Sequence, residues 1–316
     1  LAPKNPMRAP LLSPFRKTRP ASEPRIQSAP VSDNLRGMLL MVLSMAVFTC
    51  NDAVMKVVTQ TLPLYQSVAL RGGLVLALLV LVALMQGGLR LRLPTRDLGP
   101  LLLRGAGDIG STLLYLAALR HMALADLAAI MQALPLSVTL AAALCFGEKL
   151  GWRRLAAIGL GFAGVLLILR PGTGAFTFWS GLALVAMLLI TLRDMATRLF
   201  SAGVETSTIA LYGALMVTLA ALAMSVTEVW RWPSGTESGL LLLSAGFLAV
   251  GYVTAVATMR VGEISFVAPF RYTSLIWAIL LGLLIFGEWP DPWTWAGSVL
   301  VVGAGIYSIL RERQAG

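Results

Sequence analysis

The stretch VAPFRYTSLIWAILLGLLIFGE, residues 267–288, decides the fold class. It is long and apolar enough to cross a bilayer, yet Pro269, Arg271 and Tyr272 stand close together near its start. An arginine in hydrocarbon costs at least about 2.5 kcal/mol even on permissive insertion scales, so it needs a partner or a water-lined cavity. Pro269 has no N–H, which deprives the Ser265 carbonyl of its helical donor and sets a break there. Such a segment is expected to line a solute pathway, with the rest of the chain supplying the other walls.

Composition points the same way. Apolar residues make up 57% of the 316 and charged residues 13%, roughly half the charged share of a soluble domain. Apolar runs recur along the chain, and ten spans are expected at 36–58, 63–86, 99–119, 124–146, 152–169, 177–199, 205–228, 238–259, 263–286 and 293–310. Residues 1–34 are rich in proline, serine and arginine and lack the apolar core of a cleaved signal peptide, so they read as a disordered tail, with Met7 a candidate start. Cys50 and Cys145 fall in spans and imply no disulfide or metal framework.

A net charge of +10 would suit a nucleic-acid binder, but the basic residues cluster in the tail and short loops. With the amino terminus placed in the cytoplasm, 17 of the 25 Lys and Arg lie on the inner side. Lys56, Arg120, Arg170 and Arg231 lie outside, while Arg71, Arg104, Arg193 and Arg271 lie within spans. This bias places both termini in the cytoplasm. All tryptophans but Trp277 fall at span ends, as interfacial anchors do.

The chain is duplicated. A shift of about 141 positions superposes its halves. Thr49, Asp52 and Lys56 meet Thr191, Asp194 and Arg198; VALRGGL (68–74) meets IALYGAL (209–215); spans four and nine both end in Phe-Gly-Glu, at 146–148 and 286–288. Five spans per half force the second copy into the membrane upside down, an arrangement that puts transport sites near the midplane between the halves. The expected fold is an all-α polytopic membrane protein with ten transmembrane helices as two inverted five-helix repeats. The repeats occupy 35–170 and 176–310, and 311–316 form a cytoplasmic C-terminal tail.

The two five-helix halves, their FGE ends and the APFRY run resemble the EamA family of the drug/metabolite transporter superfamily. Within it, NDAVMK (51–56), LLLRG (101–105), the LP at 134–135, APFRYTSLIWA and FGEWPD (286–291) are similar to S-adenosylmethionine uptake carriers, and riboflavin importers look alike at this level. The resemblance implies a central cavity and alternating access in a bacterial inner membrane. It points to uptake of a heteroaromatic metabolite such as riboflavin or S-adenosylmethionine, with export of an amino acid or metabolite as the alternative. The implied partners are a small organic solute and the lipid bilayer, with protons a candidate coupling ion. No cofactor, metal or nucleic acid is implied, and the chain can act as a monomer or a homodimer. No nucleophile–base pair, ligand cluster or phosphate loop argues for an enzyme; a non-transporting receptor is the reading from another class.

Candidate site residues follow from polarity inside spans. Asp52 with Lys56, and Asp194 with Arg198, lie four apart and read either as intrahelical ion pairs or as gating groups facing the cavity. Similar depth pairs Asp52 with Arg71 and Asp194 with Arg271. Arg104 and Asp108 read as a snorkelling pair. Tyr115, Gln132, Tyr252, Tyr272 and Trp277 offer stacking faces with polar tips for a planar solute, against the alternative that they only pack. Pro135 and Pro269 mark helix breaks. Among these, Arg271, Tyr272 and Trp277 are not duplicated, so solute selectivity is expected there and at Arg71, Gln132, Tyr115 and Tyr252.

Overall fold

The computed structural model describes residues 31–85, 93–148, 150–173, 176–201, 203–261 and 264–315. Of the expected amino-terminal tail, residues 1–30 lie outside this set. Twelve α-helices are described: α1 (Val31–Thr61), α2 (Leu64–Met85), α3 (Leu98–His121), α4 (Leu124–Met131), α5 (Leu134–Phe146), α6 (Trp152–Leu169), α7 (Phe178–Thr197), α8 (Thr206–Met224), α9 (Gly235–Val261), α10 (Ile264–Val267), α11 (Thr273–Leu281) and α12 (Pro292–Ala315). Nine described segments are long and apolar enough to cross a membrane, two of them the broken units α4–α5 and Ala268–Phe286. The tenth crossing is α3, whose hydropathy is diluted by Arg104 and Asp108. The protein is an all-α polytopic membrane protein.

The breaks fall where proline puts them. Pro135 sits in the first turn of α5, just past the turn at Gln132 and Ala133 that ends α4. Pro269 opens a 3₁₀ stretch, Ala268–Tyr272, between α10 and α11. Both positions need no intrahelical N–H. The two breaks are tied together: Gln132 Nε2 donates to the Tyr272 carbonyl and to Ser274 Oγ, each at 3.0 Å. The Gln132 amide thereby spends its donors inside the protein and braces the two breaks.

Packing is two-fold symmetric. The most extensive interfaces are α1 on α9, α3 on α7, α6 on α12 and α2 on α8. Exchanging halves turns α1·α9 into α7·α3 and returns the other two to themselves. The contacts of α1 with α11 likewise become those of α7 with α4 and α5. Gly164 and Gly297 permit the α6–α12 approach, since a Cβ at Gly164 would stand 2.8 Å from the Gly297 carbonyl. Outward positions such as Leu102, Leu144, Leu284 and Val299 are exposed, as a lipid-facing surface requires, whereas Ser44, Gln66 and Ser244 are buried.

Candidate functional site

Helix ends shape the two mouths of the bundle. The glycine of each Phe-Gly-Glu run caps its helix in the left-handed conformation, φ +69° at Gly147 and +67° at Gly287. Each glutamate then turns back to a basic residue at the end of α1 or α7. Lys56 pairs with Glu288, and Arg198 pairs with Glu148 at 2.8 Å. The phenylalanine joins in too: Lys56 Nζ lies 4.6 Å from the Phe286 ring centre and the Arg198 guanidinium 5.9 Å from that of Phe146.

The two pairs are equivalent by sequence and unequal in setting. On the far face, opposite the start of α1, the side chains of Lys56 and Glu288 are 4% and 26% exposed. Lys56 also donates to the Met122 carbonyl at 2.7 Å, and Glu288 accepts from the Leu124 N–H at 2.9 Å, so this pair binds α1 to the α3–α4 link. The same face is reinforced by Arg231 with Glu237, by Arg170 with Asp291, and by Glu228, which caps the start of α2 through the N–H groups of Tyr65 and Gln66. On the near face, Arg198 and Glu148 are 47% and 51% exposed.

Between the mouths lies a cavity of about 540 Å³, lined by α1, α2, α3, α7, α8 and α9 and by the residues flanking the α4–α5 break. Its polar residues form two layers. At mid-depth, Asp52 accepts from Tyr115 Oη at 2.7 Å and from Asn51 Nδ2 at 3.0 Å, and Asn51 in turn accepts from Ser244 Oγ at 2.7 Å. Arg71 faces the same space, and Tyr252 stands edge-on to Phe48 with ring centres 5.7 Å apart. Nearer the face where α1 starts, Arg193 bonds Asp194 at 2.9 Å and approaches Asp108 at 3.7 Å, while Arg104 stands 3.5 Å from Asp108 and also bonds Thr197.

The structure therefore gathers Asp52, Arg71, Tyr115, Tyr252 and Asp194 around one space. It sets Gln132, Tyr272, Trp277 and Arg271 apart from it. Gln132 is spent on the helix breaks, Tyr272 is buried, and the indole N–H of Trp277 is buried with no partner among the described residues. Arg271 is exposed and lines a separate space of about 140 Å³ with Pro135, Thr139 and Ser308.

The expected pairings also differ. Lys56 and Arg198 bond the glutamates, not the aspartates four residues back, because helix ends meet across the bundle there. Asp194 takes Arg193 in place of Arg271, which the 3₁₀ stretch turns outward. The role of Glu148 and Glu288 went unread in the sequence, although the repeat shift that matches Lys56 with Arg198 also matches these two. His121 ends α3 and stacks on Trp179 with ring centres 3.7 Å apart.

Comparison with known proteins accords with this geometry. The EamA-like transporter family profile matches residues 35–170 and 177–311. A riboflavin transporter of Vibrio cholerae is 30% identical over 68% of this chain and 72% of its own. A pseudopaline exporter of Pseudomonas aeruginosa is 28% identical over 85% of this chain and 94% of its own. An S-adenosylmethionine uptake transporter of Rickettsia felis is 26% identical over 58% of this chain and 62% of its own, so less than two thirds of that relative is spanned. One crystal structure aligns at TM-score 0.63 and 22% identity over 89% of this chain and 99% of the other, a likeness of fold. Both halves match one family profile, and the chain belongs to the EamA-like transporter family.

Proposed function

We propose that this protein is a secondary carrier that moves a small organic metabolite across a bacterial inner membrane by alternating access. The observation that carries the reading is the 540 Å³ cavity between two repeat-related ion pairs, one buried and one exposed. In this conformation the Lys56–Glu288 mouth is closed and the Arg198–Glu148 mouth is open. Exchanging the conformations of the two halves would bury the second pair and expose the first, which turns the cavity to the other side. Lys56 and Arg198 are then gating residues, with Glu288 and Glu148 as their partners. With both termini in the cytoplasm, the open mouth faces inward.

The favoured cargo is a heteroaromatic metabolite of the riboflavin or S-adenosylmethionine kind, taken up, with Phe48, Tyr115 and Tyr252 as stacking or packing faces. Asp52 is the group we assign to proton coupling if transport is proton-linked. Export is the second reading, favoured by the long alignment with the pseudopaline exporter. Counterflow in proteoliposomes tests the carrier: saturable exchange of labelled riboflavin or S-adenosylmethionine is expected. Binding without exchange would make the protein a receptor. Uptake by riboflavin auxotrophs, with and without an uncoupler, separates direction and coupling.

A further inference from the structure

The two layers of charge in the cavity are balanced in different ways. In the layer nearer the face where α1 starts, every charge has a protein partner: Arg104, Asp108, Arg193 and Asp194 contact one another. In the mid-depth layer the opposite charges are held apart. Among the described residues, Arg71 makes no ion pair and no side-chain hydrogen bond, although its residue is 9% exposed. Asp52 attracts it electrostatically without bonding it.

The repeat explains how the difference arises. Each cavity aspartate is bonded by the residue before it, Asp194 by Arg193 and Asp52 by Asn51. In the second half that neighbour is a cation and neutralises the acid; in the first half it is a neutral amide. The countercharge for Asp52 comes instead from α2, where Arg71 stands at the position that holds Tyr212 in the other half. Tyr115 and Asn51 occupy the flanks of Asp52, so its carboxylate is fixed in place with lone pairs to spare. A guanidinium with its donors turned into a cavity is a costly group unless something fills that role.

We infer that the mid-depth layer is a receptor for a zwitterionic head, an α-amino acid group whose ammonium is taken by Asp52 and whose carboxylate is taken by Arg71. The planar or apolar remainder of the solute lies along Phe48, Tyr252 and the α8 wall. The inference rests on the carrier reading and narrows its cargo: solutes with an amino acid head are selected over solutes that share the ring but lack the head. Fork-shaped pairing of guanidinium with carboxylate accounts for the use of arginine over lysine at 71.

The test is ligand binding to the purified full chain by isothermal calorimetry, kept separate from transport. The probes are S-adenosylmethionine, 5′-methylthioadenosine (same nucleoside and sulfur, no amino acid head), riboflavin and the L-amino acids. At least about tenfold tighter binding is expected for a head-bearing probe than for its headless counterpart, since a site built for polar groups rejects solutes that leave them unpaired. Arg71→Gln and Asp52→Asn should each remove that preference, and Arg71→Lys should keep part of it. The unmodified protein alone decides the matter even if the variants fold poorly. Equal or tighter binding of 5′-methylthioadenosine or riboflavin overturns the inference, as does absence of binding by every head-bearing probe. Riboflavin counterflow with no head preference spares the carrier and sinks the inference. Head-selective binding with no counterflow for any probe does the reverse.

Discussion

Lys56–Glu288 and Arg198–Glu148 are the same device built twice, and the two copies differ in how much water they see. Each joins the basic end of the first helix of one half to the glutamate that follows a left-handed glycine in the other half. The far copy buries its lysine, leaves its glutamate 26% exposed and has backbone partners on both charges; the near copy is about half exposed. Sequence repetition therefore does not mean equal energy. On the proposed cycle, the inequality of equivalent contacts marks which way the molecule faces.

The comparison breaks most visibly at Glu288. Glu288→Ala strands the buried Lys56 charge, and removal of one partner from a buried pair costs about 3–5 kcal/mol. A large drop in melting temperature of the detergent-purified protein is expected, together with loss of counterflow. Lys56→Glu combined with Glu288→Lys should restore part of both; no recovery would mean that the pair contributes only through its surroundings. A smaller effect is expected at the link between the helix breaks. Gln132→Leu removes the bonds to the Tyr272 carbonyl and the Ser274 hydroxyl, about 0.5–1.5 kcal/mol for each, and denaturant titration of purified protein should register it.

Smaller again, Gly147→Ala and Gly287→Ala should each cost about 1–2 kcal/mol for the left-handed backbone, and by similar amounts despite the unequal ion pairs. A clear difference between the two would show that the glycines do more than end helices. The smallest stability effect belongs to Glu148→Ala, which removes an exposed pair of about 0–1 kcal/mol. Its melting temperature should barely move. Its counterflow should nevertheless fall, because on the proposed cycle the pair is buried when the molecule turns over. Unchanged counterflow would remove the near pair from the cycle.

Much of the scaffold was legible in the sequence because it follows from periodicity alone. Apolar runs mark the crossings, prolines 135 and 269 mark the breaks, and the constant repeat shift marks the inversion. The ion pairs were harder. A spacing of four identifies neighbours on one helix, so it joined Lys56 to Asp52 and Arg198 to Asp194, but it carries nothing about partners on other helices. Depth joined Arg271 to Asp194, yet depth leaves azimuth free, and the 3₁₀ stretch opened by Pro269 rotates Arg271 away from the cavity. The segment at 267–288 reads most differently in the folded protein: its unusual residues sit apart from the main cavity, while its terminal glutamate pairs with Lys56 at the far face. That glutamate has a visible signal in the sequence, its match with Glu148, while the adjacent glycine ends the helix.

Cross-linking tests the exchange of mouths most directly. In a background with the unpaired Cys50 and Cys145 replaced by alanine, Lys56→Cys/Glu288→Cys and Arg198→Cys/Glu148→Cys are joined by a short bifunctional thiol reagent, and counterflow is measured before and after reduction of a cleavable linker. The account predicts that the 56–288 cross-link arrests the counterflow that the uncross-linked pair retains and that cleavage restores it to that level, because that mouth must open once per cycle. Continued counterflow with the 56–288 pair joined would contradict it.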